Sequence, residues 1–132
     1  AYADEEYFKL YLSDVGLLTS LLEIQYNDIL LDNSFLYKGN IAENYVATQL
    51  VRNGLSLYYW KSNSDAEIDF ILYNEDGLIP IEVKASDNIT SKSLNSYMKQ
   101  YNPKYAIRIS SKNFGFENNI KSVPLYAAFL IK

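Results

Sequence analysis

The spacing of apolar residues changes from a helical period to strict alternation near residue 55, and this switch divides the chain into elements. Residues Tyr7 to Leu12 read as a short strand or extended segment. Asp14 is placed to cap a helix from Val15 to about Ile24, with Leu17, Leu18, Leu21 and Leu22 along one stripe. Residues 26–38 read as a loop with a helical turn. Gly39-Asn40 then opens a second helix, Ile41 to Asn53, closed by Gly54 where a left-handed residue is common. Strands follow at Leu55–Trp60, Glu67–Tyr73 and Leu78–Lys84, separated by a turn over 61–66 and by Asn74-Glu75-Asp76-Gly77, a strong hairpin signal. Ser91–Gln100 reads as a helix stopped by Asn102-Pro103. Tyr105–Ser110 is the next strand, 111–120 a loop, and Val123–Ile131 a last strand. Helix, three strands, helix, two strands predicts an α/β fold: a mixed sheet flanked by helices.

The hairpin gathers chemistry. A turn at Asp76-Gly77 sets Asp69 opposite Lys84; a turn one residue earlier sets it opposite Glu82. In either register Asp69, Glu82 and Lys84 project from one face. The other face then carries Ile68, Phe70, Leu72, Ile79, Ile81 and Val83. Two neighbouring carboxylates stay ionised only with a cation between them, and Lys84 or a divalent metal supplies it. The plainer reading is a solvated strand face with a surface ion pair worth roughly 0–1 kcal/mol. Glu43 adds weight to the first reading. On a helical wheel it falls inside the apolar arc of Ala42, Val46, Ala47, Leu50 and Val51. Asn40 and Glu43 also have the spacing of a capping box, so both a glutamate aimed at the cluster and a capping glutamate stay open.

Composition narrows the chemistry. The 132 residues contain no cysteine and no histidine. Disulfides, thiolate metal sites, Ser-His or Cys-His catalysis and imidazole-bound zinc are all excluded from this chain. Its side chains suit hard cations such as Mg²⁺, Mn²⁺ or Ca²⁺. The net charge of −4 argues against a dedicated high-affinity DNA binder. The charge is uneven: residues 1–32 hold seven acids (Asp4, Glu5, Glu6, Asp14, Glu23, Asp28, Asp32) and one base, and the remainder carries eleven bases against nine acids. No apolar run approaches the roughly 20 residues of a membrane span, and the start is unlike a signal peptide, so no membrane association and a cytoplasmic location are expected. The chain begins with Ala1 and reads as a piece of something longer.

Glu43 on a helix, then Asp69, then Glu82-x-Lys84 on adjacent strands, resembles the PD-(D/E)XK nuclease superfamily with its restriction-endonuclease-like fold. The stretches YFKLYLSDVGLL, GNIAENYVATQL, YYWKSNSDAEIDFIL and IPIEVKAS, in order over most of residues 7–86, resemble one branch more closely. That branch is a domain of uncharacterised function that follows an AAA-type ATPase module in bacterial and archaeal proteins. The resemblance implies a metal-dependent nuclease acting on DNA with Mg²⁺ or Mn²⁺. Asp69 and Glu82 would be metal ligands, the Val83 carbonyl a third, Glu43 a ligand directly or through water, and Lys84 the catalytic lysine. Ile68 stands where the superfamily often has proline. Residues 1–32 would be an acidic junction to the ATPase module and 33–132 the nuclease-like domain. No G-x-x-x-x-G-K-[ST] loop is present, so no ATP site of that kind lies in this chain.

The alternative is a nuclease-fold module that cuts nothing and couples the ATPase to a protein or nucleic-acid partner. A third reading makes the acids and Lys84 a satisfied ion cluster only. Tyr45, Tyr58, Tyr59 and Trp60 fit core or sheet-surface roles more simply than base stacking, and Lys92, Lys99, Lys104 and Lys112 fit a solvated face more simply than phosphate contacts. The resemblance also implies a role for Gln100, which ends the helix after Glu82-x-Lys84, where some relatives place a site-supporting glutamine.

Overall fold

The computed structural model describes residues 8–31, 36–62, 66–85 and 91–132. The expected segment start at Tyr7, the middle of the 61–66 turn, and the acids Asp4, Glu5, Glu6 and Asp32 lie outside them. The described order is α1 (Val15–Leu21), α2 (Tyr26–Leu30), α3 (Lys38–Arg52), β1 (Tyr58–Lys61), β2 (Glu67–Asn74), β3 (Gly77–Val83), α4 (Lys92–Tyr101), β4 (Ala106–Ser110), β5 (Gly115–Glu117), β6 (Ile120–Pro124) and a 3₁₀ helix (Leu125–Leu130).

The six strands form one mixed sheet in the order β1-β2-β3-β4-β6-β5. The hairpins β1–β2, β2–β3 and β5–β6 are antiparallel; β3–β4 and β4–β6 are parallel. One face is covered by α3 and the 3₁₀ helix. There Val46, Ala47 and Leu50 meet Phe70, Leu72, Ile79, Ile81, Ile107, Ile109 and Ala128. The other face is covered by α4, whose Leu94 and Tyr97 meet Ile68, Ile71, Ala106 and Ile120. Each fully buried Leu or Ile contributes about 1.5–3 kcal/mol, so the two clusters hold the layers together. The expected α/β architecture, a mixed sheet flanked by helices, is what the chain adopts.

Several elements match their local signals. The Asp14 side chain accepts from the Leu17 N–H at 2.6 Å and starts α1. α3 ends in a Schellman motif: Gly54 has φ +78°, its N–H reaches the Val51 carbonyl, and the Leu55 N–H reaches the Leu50 carbonyl. Asn102, at φ +45°, ends α4.

Others differ. α3 begins three residues earlier than expected, so Gly39 and Asn40 lie inside it, and no side chain caps its start. The Asn40–Glu43 capping box is therefore not formed. Residues 8–12 belong to no strand. The loop expected over 111–120 contains β5 and a two-residue turn. Asn118 and Asn119 sit at φ +51° and +59°, the type I′ conformation that suits a tight hairpin. The last strand stops at Pro124, and the 3₁₀ helix replaces its expected second half. Val51, expected in the apolar arc of α3, is exposed.

Candidate functional site

The β2–β3 hairpin turns over Glu75-Asp76, since Asn74 pairs with Gly77 and Phe70 with Ile81. Of the two registers, this is the one that sets Asp69 opposite Glu82. Alternation breaks across Asp69, however. Two steps on β1, Tyr58 to Trp60, oppose three on β2, Ile71 to Ile68. Ile68 and Ile71 both join the cluster under α4, while Phe70 joins the one under α3. This bulge corrects the expectation that Ile68 shares a face with Phe70. It also separates Asp69 from Glu82 in what each one contacts.

Asp69 accepts the Val83 backbone N–H on Oδ2 at 2.7 Å. Its Oδ1 lies 3.8 Å from the ammonium of Lys9. That ammonium donates to Glu43 Oε1 at 2.9 Å and also pairs with Glu67. The Tyr11 hydroxyl donates to the same Glu43 oxygen at 2.6 Å, and the Tyr59 ring lies beside the ammonium. Three carboxyl groups thus converge on one cation. Burial pushes the Asp69 carboxyl up to about 6, against the Val83 hydrogen bond and with help from the nearby charge of Glu43. Burial alone would lower the Lys9 ammonium; its bonds to Glu67 and Glu43 outweigh that and raise it. Burial, then Glu43, raises the Tyr11 hydroxyl, which stays a donor at any ordinary pH.

Glu82 is only 3% exposed and faces the α4 side. It accepts the hydroxyl of Ser91, the residue before α4, and its Oε1 lies 3.3 Å from the Lys84 ammonium. Arg108, its lateral neighbour on β4, stands 3.9 Å away and donates to the Ser91 hydroxyl at 3.0 Å. Every carboxyl oxygen pair in the cluster therefore has a donor or cation from the chain itself.

Glu43, Asp69, Glu82 and Lys84 fall in two separate networks of hydrogen bonds and ion pairs. Lys9 serves Glu43 and Asp69; Lys84 and Arg108 serve Glu82. The donors are all carboxyl oxygens, which suit a hard divalent cation in kind. As folded, the place where Glu43, Glu67 and Asp69 converge is taken by the Lys9 ammonium. Among the described residues no group of three acidic side chains is arranged to hold a metal ion as it stands. Gln100 bonds Tyr101 on the surface and does not enter the cluster. Lys104 is paired with Asp76 at 2.5 Å.

Lys9, Tyr11, Glu67, Ser91 and Arg108 were not singled out from the sequence. The signals for them are present: Lys9 is the single base of the first 32 residues, and Arg108 is a lone charge inside Ala106-Ile107-Arg108-Ile109. The model of the family described as a domain of unknown function, DUF4143, matches residues 38–128. The chain belongs to the DUF4143 family. The matched stretch of this DUF4143 domain runs from α3 into the 3₁₀ helix and contains Glu43, Asp69, Glu82, Lys84 and Arg108, while Lys9 and Tyr11 precede it. No curated protein and no solved structure matches the chain. Among the described residues no helix is long and apolar enough to cross a membrane.

Proposed function

We propose that this chain is a nuclease-type phosphodiesterase module of PD-(D/E)XK character, with a restriction-endonuclease-like sheet, that acts on DNA with Mg²⁺ or Mn²⁺ as part of a larger cytoplasmic ATPase. The observation that carries the reading is the convergence of Glu43, Glu67 and Asp69 on a single cation position, with Asp69 on the strand that neighbours the one bearing Glu82. Asp69, Glu82 and the Val83 carbonyl are the ligands in this reading, with Glu43 next to them. A divalent ion bound by them would supply Lewis-acid polarisation of a phosphate oxygen and a bound water of lowered pKa. Lys84, beside Glu82 and partly open to solvent, supplies positive charge toward a phosphate.

A second reading is favoured by a different observation. Lys9, Lys84, Arg108 and Ser91 satisfy the cluster from within the chain. On that reading the domain couples its ATPase to a partner and cuts nothing. Calorimetric titration of Mn²⁺ separates the two, with Asp69→Asn as control. Saturable binding lost in the variant supports the metal reading; silence up to several millimolar supports the coupling module.

A further inference from the structure

The two outer strands of the sheet are guarded differently. β1 carries the bulge between Tyr58 and Trp60, ends on Lys61, and leans Trp60 edge-on against Tyr97 and Tyr101 of α4. A bulge and a lysine are the usual devices that keep a sheet edge from pairing with another chain. β5 has neither. It pairs with β6 in unbroken register, and residues 113–117, Asn-Phe-Gly-Phe-Glu, contain no lysine, arginine or proline. All five are exposed, Phe114 at 58% and Phe116 at 64%. The turn fixes where the backbone points. Glu117 and Ile120 flank the two turn residues and form a hydrogen-bonded pair, so Gly115 and Ser122 form the next one. Phe116, between them, directs its N–H and C=O away from β6 to the open edge, and Phe114 has the same parity. Lys121, opposite Phe116, sits over the Tyr105 ring at 3.5 Å, and that ring packs into the cluster under α3. Phe116 and Phe114 thus project on the α3 side of the sheet, and their exposure shows that no helix covers them.

We infer that a second copy of this chain pairs with β5, antiparallel and about a two-fold axis at Gly115. Phe-Gly-Phe reads the same in both directions about that glycine. Phe114 of each copy then meets Phe116 of the other in a hydrogen-bonded pair, and four aromatic rings gather on one face. Gly115 meets its own copy in the non-hydrogen-bonded pair between them. That is the closest approach in an antiparallel ladder, and there no side chain intervenes. Asn113 meets Glu117, an amide against a carboxylate, and Lys112 meets Asn118, so no like charges oppose. A surface complementary to itself is what an isologous pair requires. With two hydrogen-bonded pairs the contact belongs to the small, weak class below about 1,200 Å². The inference is independent of the metal reading.

The test combines sedimentation equilibrium of the whole chain with cross-linking. Over about 5 to 500 µM the wild type is expected to pass from monomer toward dimer, and Phe116→Lys to weaken the dimer at least about tenfold with its circular dichroism unchanged. If Phe116→Lys does not fold, Phe114→Lys takes its place with the same expected result. The chain contains no cysteine, so an introduced thiol reports alone. A Cβ at Gly115 meets only the Cβ of Ser122, at 3.9 Å, so Gly115→Cys fits. The roughly 4.5 Å between the paired Cα atoms lies within disulfide range. Under mild oxidation Gly115→Cys is expected to form the linked dimer at least about tenfold faster than Glu117→Cys, which is exposed but faces Asn113 of the other copy rather than itself. A wild type that stays monomeric throughout overturns the pairing and leaves the edge to a strand of another protein. A dimer untouched by the lysine substitution overturns it as well, by placing the contact elsewhere. Equal cross-linking of the two cysteine variants overturns the axis at Gly115.

Discussion

Val83 donates its backbone N–H to Oδ2 of Asp69 at 2.7 Å, where β2 bulges and its alternation breaks. The aspartate side chain therefore completes the backbone hydrogen bonding of β3 while its other oxygen faces Lys9. Both roles hold it away from solvent, and burial outweighs the donor and the ammonium in setting its protonation.

This has a pH consequence whose sign is opposite to that of an ordinary paired aspartate. The Asp69 carboxyl sits at about 6, against an ordinary 3.8, so the folded chain holds its proton more tightly than the unfolded chain. Its contribution to stability is present below about pH 4 and is lost as pH rises through 6. The facing groups are Glu43, Lys9 and Glu82 with the Val83 N–H. The loss is on the order of 2 kcal/mol. Asp69→Asn keeps an acceptor for Val83 and removes the titration. Urea midpoints at pH 4.5 and 7.5 should show the wild type losing stability across this range relative to Asp69→Asn. Parallel curves for the two proteins would refute the assignment.

The fold was legible wherever local chemistry and tertiary packing agree. Asp14, Gly54 and Asn102 mark helix ends because capping and positive φ are decided within a few residues. The hairpin register that pairs Phe70 with Ile81 was one of two readable ones. The bulge was not readable, because both sides of β2 are apolar: Ile68 and Ile71 under α4, Phe70 and Leu72 under α3. Alternation carries no signal in a strand buried on both faces. The second half of 123–131 misled for the same reason, since Leu125–Leu130 is apolar throughout and packs as a 3₁₀ helix. In the site, spacing along the hairpin pointed to Asp69, Glu82 and Lys84 on one face, and the bulge gives Asp69 and Glu82 different partners instead. Their partners Lys9 and Arg108 come from residues 34 positions before Glu43 and 26 after Glu82, and spacing along one element does not reveal them.

Glu82 tests how much of the cluster is stabilising. It is buried among Ser91, Lys84 and Arg108. Glu82→Leu leaves Arg108 half-buried without its carboxyl and is expected to cost about 3 kcal/mol. Glu82→Leu with Arg108→Met should recover most of that loss, because two apolar side chains replace a desolvated pair. Thermal unfolding of the four corners of the cycle measures the coupling. A double variant no more stable than Glu82→Leu alone would place the cost in Ser91 and local packing instead.

The β5–β6 turn offers a gain. Asn118 and Asn119 both hold positive φ, and a type I′ turn prefers Asn-Gly at these two positions. Asn119→Gly removes a Cβ from the left-handed region and should raise stability by about 0.5 kcal/mol. Asn119→Val should lower it by more, since a β-branched residue resists that conformation. Denaturant midpoints rank the three proteins, and any other order would argue against the two-residue turn.

Asn44 decides whether residues 8–12 behave as part of the core. Its amide forms both hydrogen bonds to the Leu12 backbone, and it is buried on α3. Asn44→Ala removes a donor and an acceptor together, and at about 1 kcal/mol for each net bond the loss is about 2 kcal/mol. The effect should be local, because Val46, Ala47 and Leu50 on the same helix keep their contacts with Phe70 and Ile81. Hydrogen exchange is the decisive readout: the Leu12 amide should speed up by roughly ten- to thirtyfold while the amides of β2 and β3 keep their protection. Uniform acceleration across the sheet would mean that Asn44 supports the global fold and that the segment has no opening of its own.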